Sequence, residues 1–313
     1  MPDTASLTGC LHAADAIAVV IPHLNQPDFL ARCLDSLARM TRQPDEIVVV
    51  DNGSQQMPDA VCAKYPNVRL VQELTPGPGP ARNLGAALTT APILAFIDAD
   101  CLADESWLTQ AAAAMADPAA TILGGDVRIA LADPARVTML EAYESIYAYR
   151  MDRYIAREGF TGTGNLVVRR AVLNRVGPFG GLDVAEDRDW GQRATAMGEV
   201  IRYIPGMKVY HPARKAFSQL VQKWDRHMSH DITRARTRPL WQLRWGAKTL
   251  AMGASPLAEL PRIIASHRIT GLRSRALAFA GLVRVRLYRA RRMTGLLVGT
   301  TDAQTLAGRW NRG

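Results

Sequence analysis

Two short, nearly continuous apolar runs stand out first, residues 17–22 (Ile-Ala-Val-Val-Ile-Pro) and 46–51 (Glu-Ile-Val-Val-Val-Asp), each ending in turn formers. Runs of this length without strict alternation suit strands of a parallel sheet buried on both faces. Between them Phe29, Leu30, Cys33, Leu34 and Leu37 recur at helical spacing, with Asp28 placed to cap the start, which completes one βαβ unit. Residues 68–71 and 93–97 continue as third and fourth strands, with a helix over about 81–88 opening after a Pro/Gly-rich loop. Residues 121–131 and 165–168 read as further strands, the first alternating more than the others, so the sheet is expected to be mixed. After Pro212 only helical periodicity remains. Phe217, Leu220, Val221, Trp224 and Met228 form one stripe, and Leu272, Ala276, Phe279, Val283, Leu287 and Ala290 form another. The pattern therefore predicts an extension over 1–16, an α/β sheet domain over 17–212 and an amphipathic helical region over 213–313.

Charge sharpens that division. The net charge of +9 is the sum of two opposite regions. Residues 1–212 hold 18 Lys and Arg against 25 Asp and Glu, a balance of −7, whereas residues 213–313 hold 20 against 4, a balance of +16. The first region is suited to cations, the second to anionic lipid, nucleic acid or an acidic protein. Hydrophobic residues at 48% and charged residues at 21% are ordinary for a globular protein, and no apolar run is long enough to span a bilayer. Residues 1–16 lack a basic segment followed by an apolar one, so no secretory leader is expected. Cys10, Cys33, Cys62 and Cys101 show no CxxC spacing and read as reduced, packing thiols of a cytosolic protein.

Open α/β sheets bind ligands at the carboxyl ends of their strands, and here those ends are polar. Strand one is followed by Pro22-His23-Leu24-Asn25, strand two by Asp51-Asn52-Gly53-Ser54, and strand four by Asp98-Ala99-Asp100. Asp98 and Asp100 can converge on a hard divalent cation such as Mg²⁺ or Mn²⁺, although an acidic helix start is the plainer reading of the pair alone. Residues 75–83 (Thr-Pro-Gly-Pro-Gly-Pro-Ala-Arg-Asn) form a stiff loop entering a helix, where backbone N–H groups and Arg82 can hold an anion. The sequence Glu186-Asp187-Arg188-Asp189-Trp190 follows a Gly/Pro-rich loop at a helix start and offers a general base. His211 suits either a third cation ligand or a packed histidine. Residues 137–160 hold Tyr143, Tyr147, Tyr149 and Tyr154, flat faces suited to a sugar ring or to helix packing.

In their order and spacing these elements resemble family 2 of the inverting glycosyltransferases, over about residues 17–212. The resemblance implies a GT-A fold, a mixed sheet flanked by helices, and transfer of a sugar from a nucleoside diphosphate by a single in-line displacement, supported by Mn²⁺ or Mg²⁺. It implies donor contacts from Pro22, Leu24, Asn25, Asp51, Asn52, Arg82, Asp98, Ala99 and Asp100, with Asp51 on the base or ribose. Asp98, Asp100 and His211 would ligate the cation, and Asp187, beside Glu186, would be the base. Gly162, Thr163, Gly164, Asn165 and Trp190 would line the acceptor side. The family often has Tyr-Asn where this chain has Leu24-Asn25, which leaves the base open, UDP ahead of GDP and dTDP. It further implies glycan or lipid-linked acceptors in polysaccharide or glycolipid synthesis at the cytosolic membrane face. Two other readings remain on sequence alone: a sugar-phosphate nucleotidyltransferase, and a non-catalytic protein binding nucleic acid or an anionic surface through its tail. For the tail, the stripe from Leu272 to Ala290, surrounded by Arg273, Arg275, Arg284, Arg286, Arg289, Arg291 and Arg292, predicts a helix lying on an anionic membrane.

Overall fold

The computed structural model describes residues 15–302. Most of the 1–16 extension, with Cys10, lies outside them. The strands are β1 (Ile17–His23), β2 (Glu46–Asp51), β3 (Val68–Gln72), β4 (Ile93–Ile97), β5 (Leu102–Ala103), β6 (Ile122–Ala130), β7 (Asn165–Arg169) and β8 (Ile201–Pro212). They form one sheet in the order β3-β2-β1-β4-β7-β6-β8-β5. The β1–β2, β2–β3 and β1–β4 pairs are parallel, β7 runs antiparallel to both neighbours, and β6 and β8 are parallel. The sheet is mixed, as the alternation of residues 121–131 predicts.

The apolar runs are buried on both faces. Along β1, Ile17, Val19 and Ile21 face a core with Leu30, Leu34, Ile97 and Trp107, while Ala18 and Val20 face Leu94, Phe96 and Trp190. The helices flanking the sheet are α1 (Pro27–Ala38), α2 (Asp59–Cys62), α3 (Pro78–Ala87) and α4 (Trp107–Met115). Asp28 does not cap α1: Gln26 precedes it, Pro27 occupies the first turn, and Asp28 lies inside that turn, where its charge complements the dipole. Helix α3 starts earlier than its apolar pattern, at Pro78, because prolines in a first turn lack only N–H groups that have no intrahelical partner anyway. Strands β5 and β8 escape a sequence reading. The first has two residues, and the second carries Pro205 and Gly206 within a bulge opposite Gly125/Asp126. Cys33, Cys62 and Cys101 are buried free thiols.

Two compact units result. One comprises the chain up to Ala130 together with Tyr149–Pro212, and includes α6 (Met151–Glu158), α7 (Arg170–Val176) and α8 (Glu186–Ala196); α5 (Met139–Tyr147) falls in the other. That other unit comprises Leu131–Ala148 and the chain from Ala213, with α9 (Phe217–Arg236), α10 (Trp241–Ala258), α11 (Leu260–Ile264) and α12 (Leu272–Val298). A division after Pro212 is thus present, but the segment Leu131–Ala148, assigned to the sheet domain from sequence, groups with the C-terminal helices. Thr138 and Glu141 form a capping box that starts α5. Tyr143 of α5 abuts Gly281 of α12, where a Cβ would lie 2.8 Å from the tyrosine Cβ.

Helix α12 corrects the expected phase. Its buried line is Ala278, Gly281, Leu282, Val285, Met293 and Leu296, whereas Leu272 is 87% and Leu287 55% exposed. The small residues Ala278 and Gly281 let the neighbouring backbone approach, which outweighs the larger side chains on the other line. Several arginines expected to ring a membrane helix are spent inside the unit: Arg284 lies 4.1 Å over Phe217, Arg289 4.0 Å over Trp224, and Arg292 bonds the Tyr288 hydroxyl at 2.8 Å. No helix of the described residues is long and apolar enough to cross a membrane.

Candidate active site

The carboxyl ends of β1, β2 and β4 open onto a cleft of about 430 Å³ lined by Pro22, Leu24, Asn52, Arg82, Asp98, Ala99, Asp100 and Glu186, with His23, Gln26, Leu182 and residues 76–78 completing the wall. Most of the donor-side residues expected from sequence are therefore brought together. Leu24, 48% exposed, supplies an apolar surface where a base ring can pack.

Arg82 forms the floor. It is 2% exposed and forks between two carboxylates, Nη2 donating to Asp98 Oδ1 at 2.6 Å and Nη1 to Glu186 Oε1 at 3.0 Å. Its helix start is a poorer anion holder than the loop suggests, since Pro78 and Pro80 lack N–H groups, so positive charge here comes from the guanidinium. The loop is held by Asn52, whose Nδ2 donates to the Glu73 and Thr75 carbonyls at 2.9 and 2.8 Å and whose Oδ1 accepts from Gly77 N at 2.7 Å. Gly77 has φ +120, a conformation that only glycine adopts readily.

Asp51 departs from its expected role. It is 0% exposed: Oδ1 accepts from His23 Nδ1 at 2.9 Å, and Oδ2 from the N–H groups of Ser54 and Gly53 at 2.9 and 3.2 Å. His23 Nε2 accepts from Gln26 N at 3.1 Å, which leaves the ring proton on Nδ1, facing Asp51. Burial opposes charge on Asp51, but the bonds from Ser54 and His23 outweigh it and hold the carboxyl below its ordinary range. Asp51 thus fixes the strand ends that carry Leu24 and Asn52 and does not line the cleft. Asn25, at φ +53, likewise ties the two ends, donating its N–H to Ser54 Oγ at 2.8 Å and accepting from Gln55 N at 2.9 Å.

Asp98 and Asp100 both reach the cleft, and β5 explains how His211 joins them. Leu102 and Ala103 pair with Tyr210 and Val209, which sets His211 Nε2 3.3 Å from Asp100 Oδ2. Its Nδ1 lies 2.7 Å from the Pro212 carbonyl, and the Tyr149 ring covers the imidazole with centroids 4.6 Å apart. Burial, with Asp98 nearby, raises the Asp100 carboxyl above its ordinary range despite the opposing pull of His211. Such a cluster of acceptors fits a hard divalent cation, which would relieve this crowding of negative charge. Cys101 also lies within reach of both carboxylates, but burial pushes its thiol well up, and sulfur is a poor ligand for Mg²⁺ or Mn²⁺.

At α8, Glu186 is committed to Arg82, whereas Asp187 accepts from the neighbouring N–H of Arg188 at 2.7 Å. Burial first, and then the adjacent Glu186, raise the Asp187 carboxyl, as suits a proton acceptor. The acceptor-side set divides. Gly164 abuts Asp98, since a Cβ there would lie 2.5 Å from Oδ2, and Gly162 faces Met151. Asn165 and Trp190 correct the expectation. Asn165 is 0% exposed, accepting from Trp107 Nε1 at 2.8 Å and donating to the Asp126 and Met207 carbonyls at 3.1 and 2.9 Å, so it plugs the sheet at the bulge. Trp190 is 1% exposed, bonds the Gly177 carbonyl at 3.0 Å and packs on Phe179. Thr163 is 4% exposed. None of these three presents a surface to an acceptor. Sequence reasoning passed over Gln26 and Leu182, which only the helix and loop geometry brings to the cleft, and it noted Tyr149 as a flat face without its pairing to His211.

The model of glycosyl transferase family 2 matches residues 18–177. Glycosyltransferase AglE of Haloferax volcanii is 31% identical over 215 residues, covering 66% of this chain and 70% of that protein. Validoxylamine A glucosyltransferase of Streptomyces hygroscopicus is 36% identical over 122 residues, covering 37% of this chain and 27% of its own. Among solved structures, the mannosyltransferase PcManGT from Pyrobaculum calidifontis, in complex with GDP-Man and Mn²⁺, superposes with a TM-score of 0.55 at 19% identity, covering 95% and 88% of the two chains. S. aureus TarS 1-349 in complex with UDP-GlcNAc gives 0.51 at 18% identity, covering 90% and 92%. At these identities the structural likeness establishes the fold, that of the GT-A glycosyltransferases. The nucleotidyltransferase alternative gives way to the family match.

Proposed function

Since the chain belongs to glycosyl transferase family 2 and is a glycosyltransferase of the GT-A fold, we propose that it moves a sugar from a nucleoside diphosphate, UDP foremost, to a hydroxyl of a glycan or lipid-linked acceptor, inverting the anomeric carbon. The observation that carries this reading is the pair Asp98 and Asp100 lining one cleft with the buried Arg82, which bonds Asp98, while His211 lies 3.3 Å from Asp100. Asp98, Asp100 and His211 would hold a Mn²⁺ or Mg²⁺ ion, which when bound supplies charge neutralisation for a diphosphate leaving group. Leu24 and Asn52 bound the nucleotide end of the cleft, and Arg82 gives it a fixed positive floor that keeps Asp98 oriented.

In the transfer the acceptor oxygen attacks the anomeric carbon from the side opposite the diphosphate. The bond from that carbon to the diphosphate oxygen breaks with its electron pair, and the hydroxyl proton passes to the Asp187 carboxylate. Glu186, held by Arg82, positions Asp187 by fixing the first turn of α8. The placement of the reaction in polysaccharide or glycolipid synthesis at the cytosolic membrane face follows from the family resemblance. A panel of nucleotide sugars, incubated with Mn²⁺ or Mg²⁺ and followed for slow release of the nucleoside diphosphate, tests the proposal. Release from one donor that stops with EDTA is the expected result. Release unaffected by EDTA overturns the metal assignment, and no release from any donor overturns the donor class.

A further inference from the structure

Helix α10 is apolar on two opposite sides. Trp245, Thr249, Met252 and Pro256 face inward and are buried. On the opposite side Leu243, Leu250 and Leu257 recur every seven residues and are 75%, 77% and 70% exposed, with Ala247 and Ala254 filling the same stripe. Leu240 extends it at the preceding turn, 69% exposed and held at φ +54, a conformation leucine rarely adopts. Scattered exposed leucines are ordinary, but a continuous leucine line directly opposite a buried face is what an interaction surface requires. From Leu243 to Leu257 it runs about 21 Å along the helix.

The chemistry at the N-terminal end of the same helix identifies the partner. Arg234, Arg238, Arg244 and Lys248, with Trp241, Trp245 and the carboxylate of Asp231, line a cavity of about 310 Å³ at the N-terminal end of α10. Lys248 pairs with Asp231 at 2.9 Å. Arg234, Arg238 and Arg244 are exposed and have no acidic partner among the described residues. A second copy of the chain seated on the stripe would bring these like charges together, whereas an anionic surface would neutralise them.

We propose that the outer face of α10 docks the helical unit on an anionic lipid bilayer, its leucines entering the acyl boundary while the arginine and tryptophan cavity takes a headgroup phosphate. This moves the membrane contact from α12, where the sequence pattern put it, to α10, and it stands independently of the donor chemistry. The test is cosedimentation of the full chain with vesicles of phosphatidylcholine alone and of phosphatidylcholine with phosphatidylglycerol. Binding to the anionic vesicles only, weakened by salt, is expected. Joint replacement of Leu243, Leu250 and Leu257 by Gln abolishes it. Joint replacement of Arg234, Arg238 and Arg244 by Gln weakens it roughly a hundredfold, since each basic group near an anionic leaflet contributes about a factor of five. Unchanged melting temperature and donor hydrolysis show that both variants are folded. The proposal is overturned if the full chain ignores anionic vesicles, if the leucine variant binds as well as the parent, if the stripe instead holds two copies together in sedimentation equilibrium, or if RNA competes the protein off the vesicles.

Discussion

The two units of this protein treat charge in opposite ways. In the sheet unit, acidic side chains gather at strand ends around one buried guanidinium, and burial leaves Asp100 and Asp187 with raised carboxyl pKa values, an arrangement that costs stability. In the helical unit the arginines are spread over aromatic faces, Arg284 on Phe217, Arg289 on Trp224 and Arg262 on Tyr147, where they contribute packing. Charge concentrated against its own solvation is therefore the mark of the reactive cleft, and charge dispersed on apolar partners the mark of the scaffold.

Substitutions that separate activity from stability test this contrast. Asp187→Asn should reduce transfer by roughly 10²–10⁴-fold while leaving UDP affinity near that of the parent, read by steady-state kinetics and calorimetry. In the parent, activity should fall with acid at a pH above the ordinary carboxylate range, because the base must lose its proton and its folded pKa is raised. Near-normal turnover in the variant would hand the role to Glu186 or Asp189.

Asp100→Asn should lose most of the Mn²⁺ enhancement of UDP binding and yet raise the melting temperature of the metal-free protein. The sign follows from linkage. With the folded pKa above the ordinary 3.8, stability is lost as pH rises through that raised value, so the gain on neutralising the side chain should be absent in strong acid and present at neutral pH. A variant less stable than the parent at neutral pH would contradict the idea that this carboxylate is held at a cost.

Asp51→Ala should behave as a scaffold change inside the sheet unit, costing about 2–3 kcal/mol in urea unfolding because it strands His23 and the 53–54 turn. Since Asp51 has its folded pKa lowered, its contribution should be present above the ordinary value of 3.8 and lost as pH falls through the folded one. Smallest of all, Arg284→Gln should cost about 0.5–1 kcal/mol and leave donor affinity untouched. A large loss of donor affinity there would erase the distinction between the units.

Much of the sheet could be read from the chain, because β1, β2 and β4 are buried on both faces and carry polar residues only at their ends. The cleft at the strand ends was legible for the same reason, since strand ends are fixed once strands are. What failed depended on tertiary partners. Asn165 looks like a strand end turned to the acceptor beside Gly162 and Gly164, yet a sheet bulge needs its amide, and Trp190 looks like a platform near Asp187, yet its ring is buried in the core and bonds the Gly177 carbonyl. Helix α12 offers two apolar lines, and only the closeness that Ala278 and Gly281 allow selects between them. His211 carried no local signal strong enough to separate a ligand from a packed ring; the two-residue strand β5 brings it beside Asp100.

Because Arg82 is shared by Asp98 and Glu186, the proposed donor and acceptor sites would be joined through one guanidinium. Whatever loosens or tightens the guanidinium on Asp98 as a donor arrives is felt at Glu186, one residue from Asp187, so the acceptor encounters a base whose readiness reports donor occupancy. In kinetic language the proposed function then predicts a sequential mechanism with the donor leading. Initial-rate plots at several fixed donor concentrations should intersect, and an acceptor analogue should bind measurably only once UDP is present. Equal acceptor affinity with and without nucleotide would mean that the shared arginine transmits nothing.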